Sequence, residues 1–284
     1  MNPTNLRPQL VTTFVLLTSI LLSTSALASA IGLIQYNADR HFGDVSTNQT
    51  NLESLALEAI AQGATTIVLP EGSTHGYATA QELWCKPRIR QFNGRSCRDV
   101  SHVAEVIPGG PTTVFWHEFA KLHNVTVVYS IKEVSDNKYY NTAGVVDPRG
   151  YVDHYRKRAL YWVDTAYASP GASSLMLELE GIAFGFLTCM DANYDEYYKE
   201  YQDMGVENIL LTMDWDQDPW GGRAAALFFQ QQANRHTMNI FASDQSQWDG
   251  TGLYLHGSDV RVRHGIIEPG VGVDGYSIHR LTAQ

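Results

Sequence analysis

Apolar positions along the chain fall into two alternating patterns. "AIGLIQYNA" (30–38) is a short continuous apolar run, the mark of a strand buried on both faces. In "NQTNLESLALEAIAQG" (48–63), Leu52, Leu55, Ala56, Ala59 and Ile60 recur at helical spacing and Gly63 gives a stop. "TTIVLPEG" is a β-branched run that ends on Pro70, Glu71 and Gly72. "TTVFWHEFAKLH" predicts a helix and "NVTVVYSIKEV" a strand. "YYNTAGVVDPRGYVDHYRK" predicts two strands joined at Asp147-Pro148-Arg149-Gly150, a turn sequence. "LMLELEGIAFGFLT" gives two more strands, broken at Gly181. A helix (194–204), the strand "NILLTM", a helix (222–236) and the strand "NIFAS" follow. Strands alternating with helices predict an α/β fold, and the hairpins make its sheets mixed.

The first thirty residues do not fit that alternation. Arg7 precedes "VTTFVLLTSILLSTSALASA", an apolar segment of about a dozen residues ending in small residues, the pattern of a signal peptide. Ala26–Ala28 and Ala28–Ala30 both fit Ala-x-Ala cleavage. A spanning helix needs about 20 apolar residues, so an uncleaved anchor is the weaker reading and no stable membrane insertion is expected. The expectation is a signal peptide at 1–28, one domain at 29–284, and a secreted or periplasmic location. A chain of 284 residues with 44% hydrophobic residues can bury a large core. The net charge of −10 gives no hint of a nucleic-acid partner.

An oxidising location bears on the three cysteines. Cys85 and Cys97 lie in "WCKPRIRQFNGRSC", a stretch without periodicity that reads as a loop. A disulfide there would contribute on the order of 3 kcal/mol. Pairing them leaves Cys189 free, either as a small core residue or as a nucleophile. Cys189 and Glu71 each end a strand, and Lys157 follows one. Strand ends in layered α/β folds are where catalytic groups are presented. Singly, Glu71 could be a solvated carboxylate and Lys157 part of a basic run. Together they supply a base, a cation and a thiol. Ten histidines show no metal-ligand spacing, and chemistry by a base, a cation and a thiol requires neither metal nor cofactor.

Three segments then carry a resemblance. "VLPEGSTHGY", "YRKRALYW" and "FGFLTCMDANY", in that order, resemble the three characteristic segments of the nitrilase (carbon-nitrogen hydrolase) superfamily. "LLTMDW", "MNIFASDQ" and "GTGLYLHGS" are supporting segments, and the likeness is greatest to the vanin (pantetheinase) and biotinidase branch. The resemblance implies a four-layer α-β-β-α sandwich and a Glu–Lys–Cys triad: Glu71 as base, Lys157 as oxyanion stabiliser, Cys189 as nucleophile. Met190 would add a backbone N–H to the oxyanion. The implied reaction is hydrolysis of a linear amide. Nitrile hydrolysis, acyl transfer and ligand binding without turnover are the alternatives. A small-molecule amide is the expected partner, and a homodimer is an option.

The family's second glutamate stands seven or eight positions after the lysine; here the place falls to Asp164, one methylene shorter. The extra C-terminal domain of vanins is not expected, which leaves pantetheine specificity open. Tyr77, Asp214 and Trp215 are further candidates for the pocket. An ionised Asp214 there would favour cationic substrates; alternatively it caps a turn and faces away. Asn48 and Asn124 sit in N-glycosylation sequences, and Asn48 could also be a helix cap.

Overall fold

The computed structural model describes residues 30–215, 224–248, 250–258 and 273–280. The expected signal peptide, and Asp216 and Asp218 after the "LLTMDW" segment, lie outside them. In chain order the strands are β1 (Ala30–Gln35), β2 (Thr66–Val68), β3 (Glu82–Cys85), β4 (Gln91–Phe92), β5 (Arg95–Asp99), β6 (Thr126–Ser135), β7 (Lys138–Asp147), β8 (Gly150–Arg156), β9 (Met176–Leu179), β10 (Ile182–Thr188), β11 (Asn208–Thr212), β12 (Asn239–Ser243), β13 (Gly252–Tyr254) and β14 (Gly275–Arg280). The helices are α1 (Val45–Ala61), α2 (Pro111–His123), α3 (Asp195–Asp203) and α4 (Ala224–His236).

One sheet runs β14-β1-β2-β6-β7-β8 and a second β13-β12-β11-β10-β9. Each has a parallel centre, β1-β2-β6 and β10-β11-β12, flanked by antiparallel strands. The near-continuous apolar runs follow from burial of both strand faces. On β1, Ile31 and Leu33 join Val68, Val128, Phe184, Phe186, Leu210 and Phe241 in a core between the sheets. Ala30 and Ile34 point the other way, onto Leu52, Ala56 and Ala59 of α1 and Trp116 of α2. Leu187, Ile209, Leu211 and Ile240 likewise face Tyr198 and Tyr201 of α3 and Phe229 of α4. Helices therefore cover the outer face of each sheet, giving the four-layer α-β-β-α sandwich. Gly185 lets α3 approach closely: a Cβ there would lie 2.5 Å from the Tyr201 ring.

Two readings of the sequence change. Helix α1 begins three residues earlier than its apolar period suggests, because Asp44 is the cap and accepts from the Thr47 N–H. Asn48 is inside the helix and fully buried, donating to the His41 and Thr74 carbonyls. It is neither a cap nor an exposed glycan acceptor. The stretch around Cys85 and Cys97 is not a loop but a small sheet, β3-β5-β4. Asn93 and Gly94, both left-handed, make a two-residue hairpin turn. Strands of two to five residues carry no readable period, which hid them. Cys85 and Cys97 are joined as a disulfide across β3 and β5.

Candidate active site

Pro70 ends the pairing of β2, since proline cannot donate to a ladder, and delivers Glu71 just past the strand. Gly72 turns the chain with φ +67°, and its N–H donates to Ser130 Oγ at 2.9 Å. A side chain at Gly72 would meet Tyr77 Cβ at 2.9 Å. Lys157 is the first residue beyond β8. Cys189 is the first beyond β10, in the left-handed region at φ +46°, a strained setting for a residue with a Cβ. The turn at 189–193 that holds it is closed by Thr188 and Asp191 in a reciprocal cap. Asp191 also accepts from the N–H groups of Arg158 and Ala159, at 3.1 and 2.6 Å, and from the Tyr155 hydroxyl at 2.8 Å. One carboxylate thus locks the cysteine turn onto the segment carrying Lys157.

These strand ends converge. Lys157 Nζ lies 2.8 Å from Glu71 Oε1 and 2.7 Å from Asp164 Oδ2, and all three side chains are fully buried. Asn141 Nδ2 donates to Glu71 Oε1 at 2.6 Å and to Asp164 Oδ1 at 3.1 Å. The Tyr77 hydroxyl donates to Asp164 at 2.9 Å. Residue 214 ties the two sheets together here. Its N–H donates to Glu71 Oε2 at 3.0 Å, and its carbonyl oxygen is 3.6 Å from Cys189 Sγ. Cys189 is a free thiol, 5% exposed. The shorter Asp164 reaches the lysine because it opens a 3₁₀ turn at Asp164–Ala166, packed against β3.

Charge and burial compete at each group. Burial pushes the Cys189 thiol well up and the Glu71 carboxylate adds to this, with Lys157 in partial opposition. Burial works against the Lys157 ammonium, but Asp164, Cys189 and Glu71 outweigh it and raise its pKa well above the ordinary lysine value. Asp164 ends below the usual carboxylate range, since Lys157 overcomes the cost of burial. Removing either partner would leave the other charge buried and unpaired, costing about 3–5 kcal/mol.

Beside this cluster is a cavity of about 240 Å³, lined by Tyr77, Arg95, Tyr161, Trp162, Asp214 and Trp248, among others. The Asp214 carboxyl faces it, accepting from Trp248 Nε1 at 2.5 Å and Gln247 Nε2 at 3.4 Å. It does not face away, but it is not a simple anion either: burial, then Asp39, Glu71 and Asp244, push its pKa well up. The Trp215 ring packs on Phe228 and Phe229 of α4, so it supports the wall from behind. Met190 follows the sulphur within the 189–193 turn, half-buried, with its carbonyl 3.4 Å from Asn193 Nδ2. Sequence reasoning did not single out Asn141, Asp191, Lys132 or Tyr167. Asn141 and Lys132 face each other across β6 and β7, inside apolar runs where an isolated polar residue carries no distinct signal. Among the described residues no group of three or more His, Cys, Asp or Glu side chains is placed to hold a metal.

Residues 30–254 match the carbon-nitrogen hydrolase family pattern. The chain belongs to the carbon-nitrogen hydrolase family. It is similar to a nitrilase of Pyrococcus abyssi, 31% identical over 163 residues (57% of this chain, 56% of that protein). An omega-amidase of Danio rerio is 29% identical over 174 residues (57% and 56%). An (R)-stereoselective amidase of a Pseudomonas species is 28% identical over 122 residues (43% and 44%). The chain thus spans about half the length of these curated relatives. The carbon-nitrogen hydrolase fold is also that of an amidase from Nesterenkonia sp., with TM-score 0.67 and 18% identity over 89% of this chain and 90% of that one.

Proposed function

We propose that this carbon-nitrogen hydrolase is a cysteine-dependent amidase that cleaves linear amides through a thioester. The observation that carries the reading is the buried junction of Glu71, Lys157 and Asp164 beside the strained, free Cys189. Glu71 accepts the thiol proton as sulphur bonds to the amide carbon. The resulting oxyanion is stabilised by the Lys157 ammonium; one such preorganised donor contributes about 3–4 kcal/mol. As the carbon–nitrogen bond breaks, Glu71 returns the proton to the leaving amine. Water then gives a proton to Glu71 and attacks the thioester, releasing the acid and restoring the thiol. Asp164, Asn141 and Tyr77 hold Lys157 and Glu71 in register for these steps.

The substrate preference follows from the cavity. A cation preference would require Asp214 to be ionised, whereas its burial among other carboxylates favours the neutral acid. A small, uncharged acyl group that contacts Trp162 and Trp248 and hydrogen-bonds to Asp214 or Gln247 is therefore the proposed substrate class. The vanin-like sequence segments keep pantetheine among the amides to be tried. Secretion is proposed with it, on the apolar segment before residue 30 and a disulfide suited to an oxidising compartment.

The test is kcat/KM over matched cationic, neutral and anionic amides, pantetheine, biotin amides, and the corresponding nitriles. The expected order is neutral amides first, with Asp214→Asn altering that preference by less than tenfold. Faster turnover of nitriles would replace the amidase reading, and a strong cation preference abolished in Asp214→Asn would mean an ionised Asp214.

A further inference from the structure

Lys132, on β6, has no part in the chemistry above, yet it is buried within the same cluster, 1% exposed. Its Nζ makes no hydrogen bond or ion pair among the described residues. It lies 5.1 Å from the ring centroid of Tyr77 and 4.9 Å from that of Tyr167. Both phenols reach Asp164, at 2.9 and 3.4 Å. Opposite Lys132 on β7 is Asn141, which binds both Glu71 and Asp164. An unpaired amine in so dry a place is costly, and packing alone would be served better by a methionine or leucine.

The charges suggest what it offsets. Glu71 and Asp164 carry two negative charges against the single positive charge of Lys157. Ionising Cys189, or forming an oxyanion, adds another negative charge to a site that excludes water. We propose that Lys132 is a positioning residue whose buried ammonium balances the excess negative charge of the Glu71–Lys157–Asp164 cluster, so that the site loses a proton more readily than it would without that charge. The charged groups facing it are Asp39, Glu71 and Asp164, which favour its ammonium, and Lys157, which opposes it. His75, buried and thereby biased to its neutral form, lies on the same side, with Glu105 beyond it at 3.6 Å. Glu133 and Arg156 are paired with each other on the opposite face of β6. Burial pulls the Lys132 pKa down while Asp164 and Glu71 resist, which fits a cation retained only by its carboxylate neighbours.

The inference rests on the amidase reading for one of its two readouts only. The first needs no substrate: the rate of Cys189 alkylation by iodoacetamide between pH 6 and 10, in the full chain with its disulfide intact. The second is the pH profile of kcat/KM for the best amide. In Lys132→Met and Lys132→Gln, one positive charge fewer makes proton loss harder, so both profiles shift to higher pH by about one unit. The value of kcat falls at least tenfold while KM stays within threefold, and Lys132→Arg restores the wild-type profile. A folded neutral variant with the wild-type alkylation profile overturns the proposal. If neither neutral variant folds, Lys132→Arg decides: a wild-type profile supports the charge role, and a displaced profile refutes it. Failure of all three variants to fold would mean a packing role, again against the proposal. Absence of any amide turnover in wild type would overturn the amidase reading while leaving the alkylation result intact.

Discussion

The reactivity of Cys189 is set by two neighbours that pull in opposite directions. Burial and the Glu71 carboxylate hold the thiol protonated, and Lys157 favours the thiolate. Because the folded thiol titrates above its ordinary range, its thiolate fraction is small at neutral pH and grows as pH rises. Iodoacetamide labelling should therefore accelerate steadily from pH 7 to 10. Glu71→Gln removes the nearest negative charge but keeps the hydrogen-bonding shape. Its thiol ionises at lower pH and is labelled several-fold faster at pH 7.5, while amide turnover falls by about 10²–10⁴ for want of the base. Mass-detected labelling and initial rates on the same samples separate the two effects. Slower labelling in Glu71→Gln would mean that the carboxylate chiefly activates the resting thiol. Lys157→Met should leave Asp164 and Glu71 without the cation that bridges them, losing both turnover and about 3–5 kcal/mol of stability.

Among the elements, the turn at 189–193 and the segment after β8 act as one unit because Asp191 accepts hydrogen bonds from both. Burial raises the folded Asp191 carboxyl to about 6, above an unfolded value near 3.9. Between those values the folded state binds the extra proton, so this group's contribution is fully present below about pH 4 and is lost as pH rises to about 6. Asp191→Asn removes that dependence and one acceptor. Relative to the variant, wild type should gain up to about 3 kcal/mol on going from pH 7 to pH 4. Urea unfolding at the two pH values measures this; a constant difference would mean that Asp191 stays ionised in the fold. The role was hidden in the sequence, since its donors come from residues 155–159 and 188. Strand ends were legible because Pro70, Gly181 and the change from apolar to polar at Cys189 are local signals. The small β3-β5-β4 sheet was not legible, its order depending on the Asn93-Gly94 turn and the disulfide.

On the scale of the molecule, the site exists only because two sheets pack face to face. Glu71, Asn141, Lys132 and Lys157 come from the six-stranded sheet or the segments leaving it, and Cys189 and Asp214 from the ends of β10 and β11 in the other. Three ordered segments let Glu71, Lys157 and Cys189 be picked out from sequence, by family resemblance, as the proposed triad. The residues that tune it are single polar positions within buried strands, and only the pairing of β6 with β7 shows that they meet. Under the proposed mechanism Cys189 carries the acyl group, and intact-mass analysis of the protein quenched in acid during turnover of a neutral amide detects it. The expected result is a mass increase equal to the acyl group, on Cys189 alone, strongest in the early steady state and absent in Cys189→Ala, which should retain the wild-type fold but not hydrolyse the amide. Hydrolysis by Cys189→Ala at the wild-type rate, or an acyl group found on another residue, would contradict it.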